Sequence, residues 1–274
     1  MGRLGALIGV AAMTCPPVSG VLVARAGFAA AYLLLASLFA AAAAALVLGG
    51  HREEPAAGSS RGQAAPAGLL SPLGRVWREA PARGVLLVWL GAMAMVTAVG
   101  TLALRLPLDL AAGGAAAPTR TAGLLLGLYS TAAVLAMLSL PRFHRPGGAP
   151  GLLAMAGLGL TGMATGAVLL AWSPALPWQT LGVTVLGFGF GVAFPALNAS
   201  VGRRVEPGER GSAYALFYAF YSLGAVLGPL AAGAVVQWAP AAGWGYLPAA
   251  VLAAVAAVVL GRRAARESRP GESR

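Results

Sequence analysis

Eight long apolar runs alternate along this chain with short segments that carry nearly all of its charge. They lie at about 4–24, 27–49, 84–106, 119–140, 150–172, 177–200, 211–237 and 243–262. Each has the roughly 20 residues that a helix needs to cross the hydrocarbon core of a bilayer. Lipid offers no partners for backbone N–H and C=O groups, so each crossing segment must satisfy its own, which a helix does. The runs are rich in Ala, Leu and Gly and lack the alternation of barrel strands. The predicted fold class is therefore all-α membrane protein, with about eight transmembrane helices.

Composition points the same way. Of 274 residues, 58% are hydrophobic and 10% are charged, with a mean hydropathy of +0.78. Soluble domains carry about 25% charged residues. The net charge is +11, and every basic residue is an arginine. These arginines sit in short segments between apolar runs, where anionic lipid headgroups are nearer partners than nucleic acid. With the N-terminus placed inside, 16 of the 19 arginines fall on that side and only Arg25, Arg105 and Arg120 outside. The split predicts an integral protein of a bacterial-type plasma (inner) membrane with both termini cytoplasmic. Cys15 is the single cysteine, so no intrachain disulfide forms.

The longest polar stretch, about 50–82, is rich in Pro, Gly, Ser and Ala and reads as a cytoplasmic linker between two bundles. Within it, 69–80 (LLSPLGRVWREA) suits either a short interfacial helix or plain linker. In the helical case Val76 and Trp77 turn to lipid, and Arg75 and Arg78 to water. Four units follow: a two-helix remnant of an N-terminal bundle at 1–49, the linker at 50–82, a six-helix bundle at 83–263 and a cytoplasmic tail at 264–274.

An internal echo supports this division. Cys15-Pro16-Pro17-Val18-Ser19-Gly20 aligns with Gly228-Pro229-Leu230-Ala231-Ala232-Gly233, six spans later. Parallel six-helix repeats are one of the transporter plans. The run Gly224-xxx-Gly228-Pro229-xx-Ala232-Gly233 resembles the GxxxGPxxGG signature of the major facilitator superfamily (MFS), a mark of its drug-exporter branch. Gly187 to Asn198, followed by Glu209-Arg210-Gly211, is similar to that family's tenth helix and the loop after it. The resemblance covers helices five to twelve of twelve, with the first four lacking. Cys15 and Ser19 stand where the signature has glycines, and the basic–acidic motif that follows the eighth helix is reduced to LPRFHRPGGAP. The resemblance implies a secondary active transporter that exports small organic or drug-like solutes by alternating access. Its implied partners are a small-molecule substrate, membrane lipids and a coupling proton. A truncated, non-transporting membrane protein and an uptake permease for a sugar or metabolite are the alternatives.

Several residues carry candidate roles. Pro16, Gly20, Gly224, Gly228, Pro229 and Gly233 combine small residues, which let helices approach, with prolines, which bend them. They form either a hinge or seal, or plain packing. Tyr214, Phe217, Tyr218 and Tyr221 share one helical face, and Trp89, Met93 and Thr97 do much the same on the third span. Tyr129, Phe188, Phe194 and Asn198 complete a candidate apolar cavity wall. The substrate-binding set is Trp89, Met93, Thr97, Tyr129, Phe188, Asn198, Tyr218 and Tyr221, with aromatic packing as the alternative. Arg105 and Asp109, four apart at the outer edge of the third span, form either a gating pair or a boundary ion pair.

No enzyme pattern emerges. The two histidines stand apart in loops, Asp109 is the single aspartate, and the seven glutamates lie in loops or tails. No catalytic pair, metal cluster or cofactor motif results. Gly157-Leu-Gly-Leu-Thr-Gly162 has neither the preceding strand nor the following acid of a dinucleotide site, and reads as a packing face. The sequon Asn198-Ala-Ser200 falls at the inner end of a span. The run before Cys15 reads as a retained helix and not a cleaved signal.

Overall fold

The structure, a computed structural model of the chain, describes residues 2–48, 70–143, 148–239 and 243–268. The elements are all helical: α1 (Gly2–Leu48), α2 (Leu70–Arg83), α3 (Val85–Ala112), α4 (Pro118–Phe143), α5 (Gly148–Trp172), α6 (Leu176–Arg204), α7 (Arg210–Trp238) and α8 (Leu247–Glu267). Short 3₁₀ turns, Pro207–Glu209 and Trp244–Tyr246, precede α7 and α8. Seven helical segments among the described residues are long and apolar enough to cross a membrane. The all-α membrane bundle expected from the apolar pattern is what the chain forms.

At the N-terminus the two spans expected at 4–24 and 27–49 are two helical segments that abut at Gly27, whose non-helical angles (φ 77°, ψ 174°) put a kink between them. Among the described residues, the stretch here that is long and apolar enough to cross a membrane is Pro17–Leu38. Glycine is the residue that adopts such a φ without a Cβ clash. Before the break, α1 packs on α4. A Cβ added at Gly20 would lie 2.9 Å from the Gly123 Cα and 3.0 Å from the Thr119 oxygen, so glycine here allows close approach. The side chain of Pro16, its expected companion, lies outside the described residues, as do 50–69 of the linker and 269–274 of the tail.

In the rest of the bundle, α5 lies between α6 and α8, α6 between α5 and α4, and α3 against α7. The α5–α6 seam is made of small residues. A Cβ at Gly159 would stand 2.6 Å from the Gly189 oxygen, and one at Gly166 would stand 2.7 Å from the Gly182 oxygen. Gly157 meets the Ala257 oxygen of α8 at 3.1 Å on the same terms. The Gly157–Gly162 run is thus a packing face.

Helix α2 resolves the linker alternative at its C-terminal end. It is amphipathic, with Val76 and Ala80 buried against the bundle and Arg75 and Arg78 exposed. The expectation that Val76 faces lipid is corrected: it joins the core, because α2 lies across α3 and α7. Gly84, with φ 69°, supplies the left-handed residue that turns α2 into α3.

Candidate functional site

Two seams set the aromatic side chains. On α6, Gly187 and Gly191 face α4 so closely that a Cβ at either would strike the carbonyl of Tyr129 or Ala133. That approach carries Tyr129 to Phe190, with ring centroids 5.9 Å apart. Phe190, Phe194 and Asn198 recur every four residues along one face of α6. On α7, a Cβ at Gly224 would strike the Met93 carbonyl and one at Gly228 the Thr97 carbonyl, which seats α7 on α3.

Between these seams runs a row of rings drawn from three helices. Tyr129 meets Phe190, and Phe190 stacks on Phe194 at 5.5 Å with planes 8° apart. Phe194 meets Tyr221 edge-on at 6.3 Å, Tyr221 meets Tyr218 at 6.0 Å, and Tyr218 meets Phe217 at 5.3 Å. The exposed Tyr218 and the half-buried Phe190, Phe194 and Tyr221 leave part of this row open. Tyr214 stands at its end and donates from its hydroxyl to the Asn198 carbonyl at 3.0 Å. Two polar atoms along the row, the Tyr129 hydroxyl and the Asn198 Nδ2, are buried without a hydrogen-bond partner. An apolar aromatic surface with a few unspent polar groups is the chemistry of a small-molecule contact.

Four of the eight candidate substrate residues, Tyr129, Asn198, Tyr218 and Tyr221, therefore come together. The other four do not. Trp89 is fully buried under Trp77 of α2, with centroids 6.1 Å apart, and against Phe220 at 5.8 Å. Met93 sets its backbone carbonyl against Gly224 in the α3–α7 seam and joins none of the ring contacts. The Thr97 hydroxyl donates to the Met93 carbonyl at 2.8 Å, and the residue lines a separate groove of about 870 Å³ with Leu227, Leu230, Leu247 and Val251. Leu227 is nine residues, or half a rotation, from Tyr218, so that groove opens on the opposite flank of α7. Phe188 is 54% exposed and joins none of the ring contacts. Two residues before Phe190, it points away from the row. Phe190 was the ring missed from sequence, and its four-residue spacing from Phe194 was the available signal.

The hinge-or-packing set also divides. Gly224 and Gly228 are seam residues, and the Pro229 Cδ would sit 3.1 Å from a Cβ on Gly100. Gly233 has open space where a Cβ would go.

Ion pairs occupy both ends. At one, Arg105 pairs with Asp109 on α3, and both side chains are nearly buried. Gly245 in the turn before α8 packs on Arg105, its added Cβ 2.9 Å from the Arg105 Nε, and Tyr246 is buried in the same turn. At the other end a clasp joins four segments. Arg83 pairs with Glu79 and, at 2.5 Å, with Glu209. Arg204 donates to the Arg83 carbonyl at 3.1 Å and grips Glu267 with both terminal nitrogens, at 3.1 and 2.7 Å. Arg263 donates to the same carboxylate at 2.7 Å. The hydrogen bond that Arg83 donates to the Glu209 carboxylate holds its guanidinium above its usual pKa. Among the described residues, no group of three His, Cys, Asp or Glu is placed to hold a metal ion.

The chain resembles known proteins in sequence. The sequence profile described as Major Facilitator Superfamily matches residues 1–207 and 151–274. The uncharacterized MFS-type transporter YhhS of Salmonella typhi is 37% identical over 143 residues, or 50% of this chain and 33% of the relative. The YhhS proteins of Salmonella enteritidis PT4 (strain P125109) and Salmonella paratyphi C (strain RKS4594) match to the same extent. The matched region thus spans about a third of these relatives' length. No solved structure shows a significant match. With its profile matched from end to end and its helices packed as a membrane bundle, the chain belongs to the Major Facilitator Superfamily, a family of transport proteins and not of enzymes.

Proposed function

We propose that this chain takes part in secondary active export of small organic, drug-like solutes by alternating access, with the row Tyr129–Phe190–Phe194–Tyr221–Tyr218 as a solute-contacting wall. The observation that carries the reading is this open row, drawn from three helices, with the unpartnered Tyr129 hydroxyl and Asn198 Nδ2 beside it. Aromatic faces bind flat apolar rings and attract cations, so amphipathic aromatic solutes, neutral or cationic, suit it. The asymmetric arginine distribution supports an inner-membrane setting with both termini cytoplasmic. In the same reading, 1–49 and 83–263 are separate bundles joined by the 50–82 linker, and the Arg105–Asp109 pair closes the outer end.

The test is efflux of a fluorescent aromatic cation from loaded cells that express the chain. Export should fall in the double variant Tyr218→Ala, Tyr221→Ala while membrane insertion stays intact. Unchanged efflux removes both residues from the site, and solute accumulation above that of control cells reverses the direction.

A further inference from the structure

The clasp end of the bundle sorts its charges in a way that the ion pairs alone do not explain. Glu79, Glu209 and Glu267 are all spent on Arg83, Arg204 and Arg263. On every segment the clasp gathers, an arginine without an acidic partner stands nearby. Arg75 and Arg78 lie on the outer face of α2, Arg203 adjoins Arg204, Arg210 adjoins Glu209, and Arg262 and Arg266 adjoin Arg263 and Glu267. All six are exposed, and none forms an ion pair among the described residues. Among the described residues, Glu206 is the exposed acid that remains at this end. Trp77, half-exposed on α2 beside Arg78, is an amphipathic ring of the kind enriched at membrane surfaces.

From this placement we infer that the six-arginine rim is a docking surface for the phosphodiester headgroups of anionic phospholipids, with α2 resting on that surface. The clasp fixes the rim, because Arg83, Arg204 and Glu267 hold α2, α6 and α8 to one another. Guanidinium forks match phosphate oxygens in pairs, which ammonium groups do not, and every cation here is a guanidinium. The rim caps membrane-crossing helices, so it lies where such headgroups are concentrated.

The experiment uses the full chain, reconstituted in vesicles of equal parts phosphatidylglycerol and phosphatidylcholine and then extracted in neutral detergent. The lipids that remain bound are counted. Phosphatidylglycerol should be enriched about three-fold or more. Replacing all six arginines with Gln should abolish the enrichment, and Arg75→Gln with Arg78→Gln should reduce it. Arg25→Gln with Arg120→Gln, at the opposite end, should leave it unchanged. Equal retention of the two lipids, or enrichment that survives the six-fold variant at unchanged helix content, overturns the proposal. So does stripping of the lipid by low concentrations of inorganic phosphate, which would show a free-phosphate site.

Discussion

The indole of Trp77 lies flat over that of Trp89, with centroids 6.1 Å apart and planes 10° from parallel, and both rings stack on Phe220. This three-ring stack fastens the linker helix α2 to α3 and α7. Aromatic pairs add about 0.5–1.5 kcal/mol beyond the area that they bury. Trp77→Ala should therefore lower stability in detergent by about 1–2 kcal/mol, read as a drop in the thermal midpoint, and Trp77→Phe should restore most of it. An unchanged midpoint would mean that α2 is not held by the stack.

The glycine–proline block makes a sharper distinction. Gly224 and Gly228 carry the α3–α7 seam, where a methyl group meets a backbone carbonyl that cannot swing aside. Each changed to Ala should cost about 1–3 kcal/mol through forced separation of the helices. Gly233→Ala, which meets open space, should stay within about 0.5 kcal/mol of the wild type. Thermal unfolding of the three variants checks the order. If Gly233→Ala were the most damaging, the seam would be misplaced.

Across the clasp, Arg83 and Glu209 bind at 2.5 Å while partly open to solvent, at 26% and 13% side-chain exposure. A double-mutant cycle with Arg83→Gln and Glu209→Gln should give a coupling of about 0.5–1 kcal/mol, discounted for solvent screening. The coupling should fade in about 1 M salt, where the screening length is about 3 Å. Coupling that persists undiminished in salt would place the pair in a drier setting than this one.

Much of this architecture was readable from the chain itself, and the failures have physical causes. Apolar runs of spanning length and the arginine-bearing ends mark helices because lipid enforces both. The pairing of Arg105 with Asp109 follows from their four-residue spacing. Trp89 read as cavity-lining because its spacing with Met93 and Thr97 is regular. Only the fold of α2 across it, a contact between segments, makes it core. Phe188, the candidate from the sequence, stands two residues from Phe190 in an alternating Gly-Phe run. The seams at Gly187 and Gly191 decide which of the two faces the bundle. The two predicted N-terminal spans meet at a kink at Gly27, set by one residue's backbone angles, a detail that hydropathy does not register.

Proximity labelling addresses the solute-contacting row most directly. Detergent-purified protein is irradiated with an amphipathic benzophenone probe, with and without an excess of unlabelled solute, and the modified peptides are sequenced. The account predicts that competable label falls on 186–200 and 210–224, and that Phe194→Ala with Tyr221→Ala removes it. Competable label shared equally with the outward residues Leu158, Val168 and Val258, or unaffected by the double change, would contradict it.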